Sequence, residues 1–206
     1  KCPVNVTEEE IKKYQYRVNE IVKHSNGLTT TQIAEKMYNL RHEIFGNLTD
    51  YTEIKEHYNR LMLDYFPYMK NNVNASENHL KMAIQYAMVG NYIDFGVTGK
   101  IDDQMLEDML DKAGELKISS KEVQHLEGEL LTAKTLLYIT DNCGEIVLDK
   151  IFIEELKKRY PSLEITVMVR GGLAINDATM EDAKEVGLTK IVPVISNGAA
   201  ITGTVK

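Results

Sequence analysis

The chain has 206 residues, 43% of them hydrophobic, which is enough to bury one good core, or a core with a helical cap, without disulfides. A formal net charge of −7 would repel nucleic acid and anionic membranes over most of the surface, although a small anion could still enter a local site. Because there is neither an apolar run of roughly 20 residues nor a basic-then-apolar leader, we expect a cytoplasmic protein. Cys2 and Cys143 lie far apart in the sequence and belong to no paired framework, so we expect no disulfide between them.

Helical periodicity dominates the chain as far as about residue 133. A capping box at Thr7 and Glu10 begins the first of six predicted helices. The helices are expected from Thr7 to about Asn26-Gly27, from about Ile33 to Gly46, from about Ile54 to the residue before Pro67, around Leu80 to Met88, near 102–112 and near 119–133. The fourth helix runs into residues 90–96, where two glycines and an aspartate indicate a shaped turn.

The pattern changes at residue 134 to short β-rich runs that alternate with helices. Strands are predicted at 135–140, 164–169 and 190–195, with helices at 144–159 and 180–186 between them. This β-α-β-α-β order is typical of a parallel sheet with right-handed crossovers. The predicted fold class is therefore α/β: a helical region, 1–133, on the substrate side, followed by a Rossmann-like parallel sheet in 134–206 that carries the site.

A three-stranded parallel sheet is small, and such sheets are normally covered on both faces. Eight residues follow Ser196-Asn197-Gly198, whereas a further crossover needs at least about 10–12 residues. We therefore expect that further strands complete both sheet and site beyond Lys206, and that this chain alone shows weak turnover or none.

The residues that follow the predicted strands are unusually polar. Ligands of open parallel sheets bind beyond the carboxyl ends of the strands, so three segments distant in sequence should meet at one edge. These segments contain Asp141, Asn142, Cys143, Gly144 and Glu145 after the first strand, Arg170, Gly171, Gly172, Asn176, Asp177 and Thr179 after the second, and Ser196, Asn197 and Gly198 after the third.

Two carboxylates and an amide carbonyl, from Asp141, Asn142 and Asp177, form a hard oxygen set that suits Mg²⁺ or Mn²⁺ better than Zn²⁺. The backbone amides of 143–145 and 171–172 could receive phosphate oxygens, with Arg170 neutralising their charge. A metal beside an anion cradle predicts phosphoryl chemistry. Taken singly, each acid is explained equally well as a helix cap, so the hypothesis rests on their coincidence at one edge.

Two alternatives stay open. Cys143 at a helix start could be a nucleophile, because the pKa of a thiol falls there, although no histidine lies near it in the sequence. A non-catalytic module that senses a phosphorylated metabolite would use the same cradle. Dinucleotide and P-loop sites are excluded because neither glycine motif is present.

Two segments, YITDNCGE at 138–145 and VRGGLAINDATMEDA at 169–183, resemble motifs of the damage-control phosphatase family. The likeness extends to 90–96 and 196–198 and so covers most of the chain. Compact microbial members often open with a C-x-x-C pair, whereas Asn5 follows Cys2-Pro-Val here. Members of the family also continue beyond the position of Lys206, with a further strand and a glycine-rich turn that carries a phosphate-facing lysine.

The resemblance implies a divalent-metal-dependent phosphatase of sugar phosphates and related, sometimes damaged, metabolites. It implies Asp141, Asn142 and Asp177 as metal ligands, and Asn91 and Asp94 as residues that approach from the helical part. The expected ion is Mn²⁺ or Mg²⁺, with Co²⁺ and Ni²⁺ as alternatives. Asp141 and Asp177 are the catalytic candidates, and the substrate-binding candidates are Asn91, Asp94, Gly144, Glu145, Arg170, Gly171, Asn176, Thr179, Ser196 and Asn197. The nucleophile, water or a carboxylate, and the oligomeric state stay open.

Overall fold

The computed structural model describes residues 6–46, 51–92, 103–172 and 174–199. Within these residues six α-helices precede the first strand, and strands and helices then alternate as the sequence predicts. The elements are α1 (Glu8–Lys23), α2 (Thr30–Phe45), α3 (Thr52–Ala75), α4 (His79–Tyr92), α5 (Asp103–Asp111), α6 (Ser120–Thr132), β1 (Thr135–Ile139), α7 (Glu145–Arg159), β2 (Glu164–Val169), α8 (Met180–Glu185) and β3 (Val194–Ser196).

The three strands form one parallel sheet in the order β1-β2-β3, which confirms the predicted α/β class. Leu137 pairs with Thr166, and Val167 pairs with Val194. Because the strands are parallel and adjacent, the segments that follow them all leave from the same edge of the sheet.

A hydrophobic core joins the helical part to the sheet. Helix α7 packs against α3 and α4, and its side chains share one buried cluster with the inner face of β2. Members of this cluster that are wholly buried include Met62 and Met69 of α3, Ala83 of α4, Ile146 and Ile151 of α7, and Val167 of β2. The α/β region is therefore packed directly on the helices that precede it.

The opposite face of the sheet is left open by the described residues. Leu137 and Ile139 of β1 are 50% and 55% exposed, and Ile195 of β3 is 43% exposed. The strand register places these side chains on the same face as Met168. No helix in the described part of the chain is long and apolar enough to cross a membrane.

Helix α3 corrects one prediction, because it does not stop before Pro67 but continues to Ala75. A proline inside a helix costs about 3 kcal/mol. Beyond it, Met69 and Val73 are fully buried, and each contributes about 1.5–3 kcal/mol through that burial. The apolar face of α3 thus continues across Pro67 and offsets its cost.

Two further boundaries differ from the predictions. The run at 190–195 is a strand only from Val194, because Leu188–Lys190 forms a 3₁₀ turn and Pro193 has no N–H to donate to a ladder. Gly90 lies inside α4 and not in a turn. The remainder of the predicted turn, 93–96, lies outside the described residues and includes Asp94.

Candidate functional site

Two loops at the carboxyl edge of the sheet are joined by backbone hydrogen bonds. We call residues 141–144, after β1, and 174–179, after β2, the site loops. The N–H of Cys143 donates to the carbonyl of Asn176 at 2.8 Å, and the N–H of Ala178 donates to that of Asp141 at 2.7 Å. An antiparallel bridge also pairs Asn142 with Asp177. The three residues predicted to hold a metal are thus brought together on adjoining loops.

Arg170, at the end of β2, holds one of the two carboxylates. Its Nε donates to Oδ2 of Asp177 at 2.6 Å, and both side chains are buried. Burial raises the pKa of Asp177, the Arg170 guanidinium opposes that rise, and the charge of Asp141 adds to it. Asp141 itself is exposed. The site therefore presents one carboxylate oriented by an arginine beside a second carboxylate open to solvent.

Glu145, the first residue of α7, orients the amide of Asn142. It is buried, and its Oε2 accepts from Asn142 Nδ2 at 3.2 Å, while its Oε1 lies 3.5 Å from Asn91 Nδ2 at the end of α4. Burial raises the pKa of Glu145, and the charge of Asp141 raises it further. Because the amide nitrogen of Asn142 points to Glu145, its carbonyl oxygen is the atom left for a cation. Asn91 reaches the site from the helical part.

The donor set fits a divalent cation such as Mn²⁺ or Mg²⁺. Among the described residues no cluster of three or more His, Cys, Asp or Glu could hold a metal. The candidate set instead combines two carboxylates, Asp141 and Asp177, with the amide oxygen of Asn142, all hard oxygen donors. Burial raises the pKa of Asp177 and of Glu145, and the charge of Asp141 adds to both rises. A bound cation would offset that negative charge.

The third segment closes against Gly171. The N–H of Gly171 donates to Asn197 Oδ1 at 2.8 Å and to the carbonyl of Ala199 at 2.9 Å. Ser196 Oγ accepts from the N–H of Gly198 at 3.0 Å. A Cβ at position 171 would lie 2.3 Å from the backbone nitrogen of Ala199, so only glycine allows this approach. Ser196 and Asn197 therefore shape a turn beside the second strand end.

The predicted amide cradle for phosphate is not present in that form. The N–H of Gly144 donates to Asn59 Oδ1 at 2.8 Å, and that of Glu145 donates to the carbonyl of Cys143 at 2.8 Å. The amides of Cys143 and Gly171 are likewise engaged within the protein. These N–H groups form hydrogen bonds that hold the loops together. Of the groups predicted to bind phosphate, Arg170 is the one that lies beside the candidate carboxylates.

Asn176 and Thr179 have different surroundings. Asn176 is buried, and its Nδ2 has no hydrogen-bond partner among the described atoms. Thr179 takes part in the capping box of α8, where its hydroxyl donates to Asp182 Oδ2 at 2.7 Å. Thr179 therefore serves the start of the helix.

Cys143 is completely buried, and burial raises the pKa of its thiol to about 12. The sulfur is therefore protonated at neutral pH and shielded from a substrate. This environment is the opposite of the one that activates a thiol nucleophile.

Sequence reasoning missed a buried polar cluster behind the site loops. Nζ of Lys55 lies 2.7 Å from Oδ2 of Asp182, and the Nδ2 of Asn59 donates to Oδ1 of the same carboxylate at 2.9 Å. The spacing of residues in α3 could have indicated this cluster. Lys55 and Asn59 are four residues apart, on the face of the helix that also carries Met62. Polar residues on an otherwise apolar helix face indicate buried partners.

Comparison with known proteins adds independent evidence. The model of the damage-control phosphatase ARMT1-like domain matches residues 3–206. A damage-control phosphatase of Archaeoglobus fulgidus is 30% identical over 184 residues, 88% of this chain and 62% of that protein. One of Pyrococcus horikoshii is 38% identical over 123 residues, 60% of this chain and 42% of that protein.

The crystal structure of a DUF89 family protein from Pyrococcus horikoshii shares this fold with a TM-score of 0.76 at 26% identity, over 97% of this chain and 68% of that one. The chain spans about half the length of the relatives that it matches in sequence. The strand-end motifs, the shared fold and the family match over nearly every residue agree, and the chain belongs to the damage-control phosphatase ARMT1-like family.

Proposed function

We propose that this protein takes part in the divalent-metal-dependent hydrolysis of small phosphorylated metabolites, with sugar phosphates as the first class to test. The observation that carries the proposal is the junction of the two site loops, which brings Asp141, Asn142 and Asp177 together at the carboxyl edge of the sheet. The names of the Archaeoglobus and Pyrococcus relatives support a phosphatase acting on damaged metabolites.

When bound, a divalent ion would supply Lewis-acid polarisation of a phosphoryl oxygen. The chain's own residues prepare its ligands: Arg170 orients the Asp177 carboxylate, and Glu145 holds the amide nitrogen of Asn142. Asp141 is the solvent-exposed carboxylate, so it is placed to take a proton from attacking water or to attack the phosphorus itself. Arg170 and Asn176 Nδ2 would stabilise charge on the phosphoryl oxygens.

The net charge of −7 supports a small molecule as the substrate. It disfavours nucleic acid and anionic membranes as partners, so the substrate would be a small molecule. Function in the cytoplasm belongs to the same proposal.

The test is phosphate release from a panel of sugar phosphates, measured with and without Mn²⁺, on the chain in its full natural length. Asp177→Asn should abolish release, because it removes a metal ligand and the partner of Arg170. Cys143→Ser should keep most of it, because the thiol is buried and protonated. Binding of phosphorylated ligands without turnover would favour a sensing module, and loss of activity in Cys143→Ser alone would favour the thiol mechanism.

A further inference from the structure

The turn that leads from the first site loop into α7 has an unusual backbone. Gly144 has φ 73° and ψ −55°, and the N–H of Glu145 closes the turn on the carbonyl of Cys143 at 2.8 Å. These values describe a γ-turn with positive φ, which is rare for other residues but open to glycine because it has no Cβ. Because glycine has many other conformations open to it, contacts from the surroundings must select this one. The turn matters because it sets the directions of Asn142 on one side and Glu145 on the other.

The group that enforces this turn comes from the helical part of the chain. Asn59 of α3 is fully buried, and its Oδ1 accepts from the N–H of Gly144 at 2.8 Å. Its Nδ2 donates to Oδ1 of Asp182 and to Oε2 of Glu185, both at 2.9 Å. The two acidic partners leave only one orientation for the amide, with its oxygen towards Gly144.

Asp182 is itself fixed from other directions. Its Oδ2 lies 2.7 Å from Nζ of Lys55 and accepts from the N–H of Thr179 at 2.7 Å. Lys55 and Asp182 are both almost wholly buried, so the hydrogen bonds of this cluster act in a medium of low dielectric and are well defined. The cluster joins α3, α8 and the first site loop.

We propose that Asn59 is a positioning residue that clamps the Gly144 turn and so keeps the amide oxygen of Asn142 directed at the cation. This inference deepens the proposed function and rests on it for the identity of the bound ion. It assigns to the helical part a second role besides covering the core, namely control of the geometry of the metal-holding loop from behind.

The test compares Asn59→Ala with Val73→Ala. Val73 is a fully buried residue of the same helix that packs in the common core and makes no bond to the site loops. Two readouts are used on the chain: amide hydrogen exchange at Gly144 and Glu145 in metal-free protein, followed by NMR, and the affinity for Mn²⁺ alone, measured by calorimetry.

In Asn59→Ala we expect Gly144 to exchange about tenfold faster or more than in Val73→Ala, because its acceptor is gone. Affinity for Mn²⁺ should fall about 10–100-fold, the usual effect of removing a group that orients a ligand. Val73→Ala should lower the stability of the protein. Its Gly144 exchange rate and its Mn²⁺ affinity should stay close to those of the unmodified protein. If Asn59→Ala does not fold, Asn59→Ser, whose side chain is too short for the 2.8 Å bond, is compared in the same way.

Equal Gly144 exchange in the Asn59 and Val73 variants would overturn the inference. So would an unchanged Mn²⁺ affinity in a folded Asn59 variant. If the unmodified protein does not bind Mn²⁺, the proposed function fails, and the exchange measurement alone then decides whether Asn59 clamps the turn.

Discussion

Asp149 on α7 is a buried carboxyl that faces β1. The hydroxyl of Tyr138 donates to its Oδ1 at 2.5 Å. Burial raises the pKa of Asp149 well above its ordinary value, and the charge of Glu145 raises it further. The folded protein therefore retains a proton that the unfolded chain releases near pH 3.9. Stability is expected to fall as the pH rises from that value through the raised pKa of the folded state.

Asp149→Asn tests this effect, because asparagine keeps an oxygen that accepts from Tyr138 but has no proton to lose. We expect the variant to be more stable than the parent at pH 7–8, with the gain shrinking as the pH falls towards 4. Urea denaturation at several pH values, in the presence of a chelator, measures the free energy of unfolding. Glu129→Gln, at an exposed acid on α6, is the control, and a gain independent of pH would contradict the explanation.

At the scale of elements, the contact between α4 and α7 aligns the helical part with the site. Gly90 of α4 lies against Glu145, the first residue of α7 and the partner of Asn142. A Cβ at position 90 would approach the Cγ of Glu145 to 3.0 Å and its Cα to 3.3 Å. A glycine inside a helix costs roughly 0.5–1 kcal/mol relative to alanine, so the close approach explains its presence there.

Gly90→Ala and Gly128→Ala separate helix propensity from packing. Gly128 lies in α6 with nothing within 4 Å of its added Cβ, so Gly128→Ala should stabilise the protein by about 0.5–1 kcal/mol. Gly90→Ala should instead destabilise it by about 1–2 kcal/mol, because the overlap with Glu145 must be relieved by a shift of α4 or α7. Thermal unfolding of both variants provides the comparison, and equal stabilisation would show that the α4–α7 contact is adaptable.

At the scale of the whole molecule, stability is unevenly distributed. Helices α3, α4 and α7 share the buried cluster with the sheet. Helix α1 contains no buried residue and packs on α2, with contacts such as the Tyr14 and Phe45 rings at 5.1 Å and the exposed Arg17–Glu43 pair at 3.2 Å. Exposed ion pairs contribute about 1 kcal/mol or less. The α1–α2 hairpin is therefore held mainly by its own interface.

Amide hydrogen exchange should reveal this difference directly. We expect the amides of α1 to exchange through local opening at a free energy well below that of global unfolding, and those in the middle of α7 to exchange only on global unfolding. Mass spectrometry of peptides from both helices, at increasing urea concentrations, measures the exchange rates and so distinguishes local opening from global unfolding. Protection of α1 equal to that of α7 would show that the hairpin belongs to the main cooperative unit.

Local sequence patterns were enough to predict the architecture and the location of the candidate site. Strand and helix patterns are local, and alternation of the two leads to a parallel sheet whose strand ends share an edge. Asp141, Asn142 and Asp177 could therefore be placed together in advance, and the backbone bonds between the site loops now join them. Their role as metal ligands remains a prediction that the proposed assays test.

The hydrogen-bond partners of these loops could not be predicted in this way, because they come from distant segments of the chain. The amides of Gly144 and Gly171 are taken by Asn59 and Asn197, residues from other segments of the chain. The continuation of α3 through Pro67 likewise depends on what Met69 and Val73 pack against. Periodicity shows that a side chain is buried but not which distant group it meets, because partner choice depends on how whole elements pack.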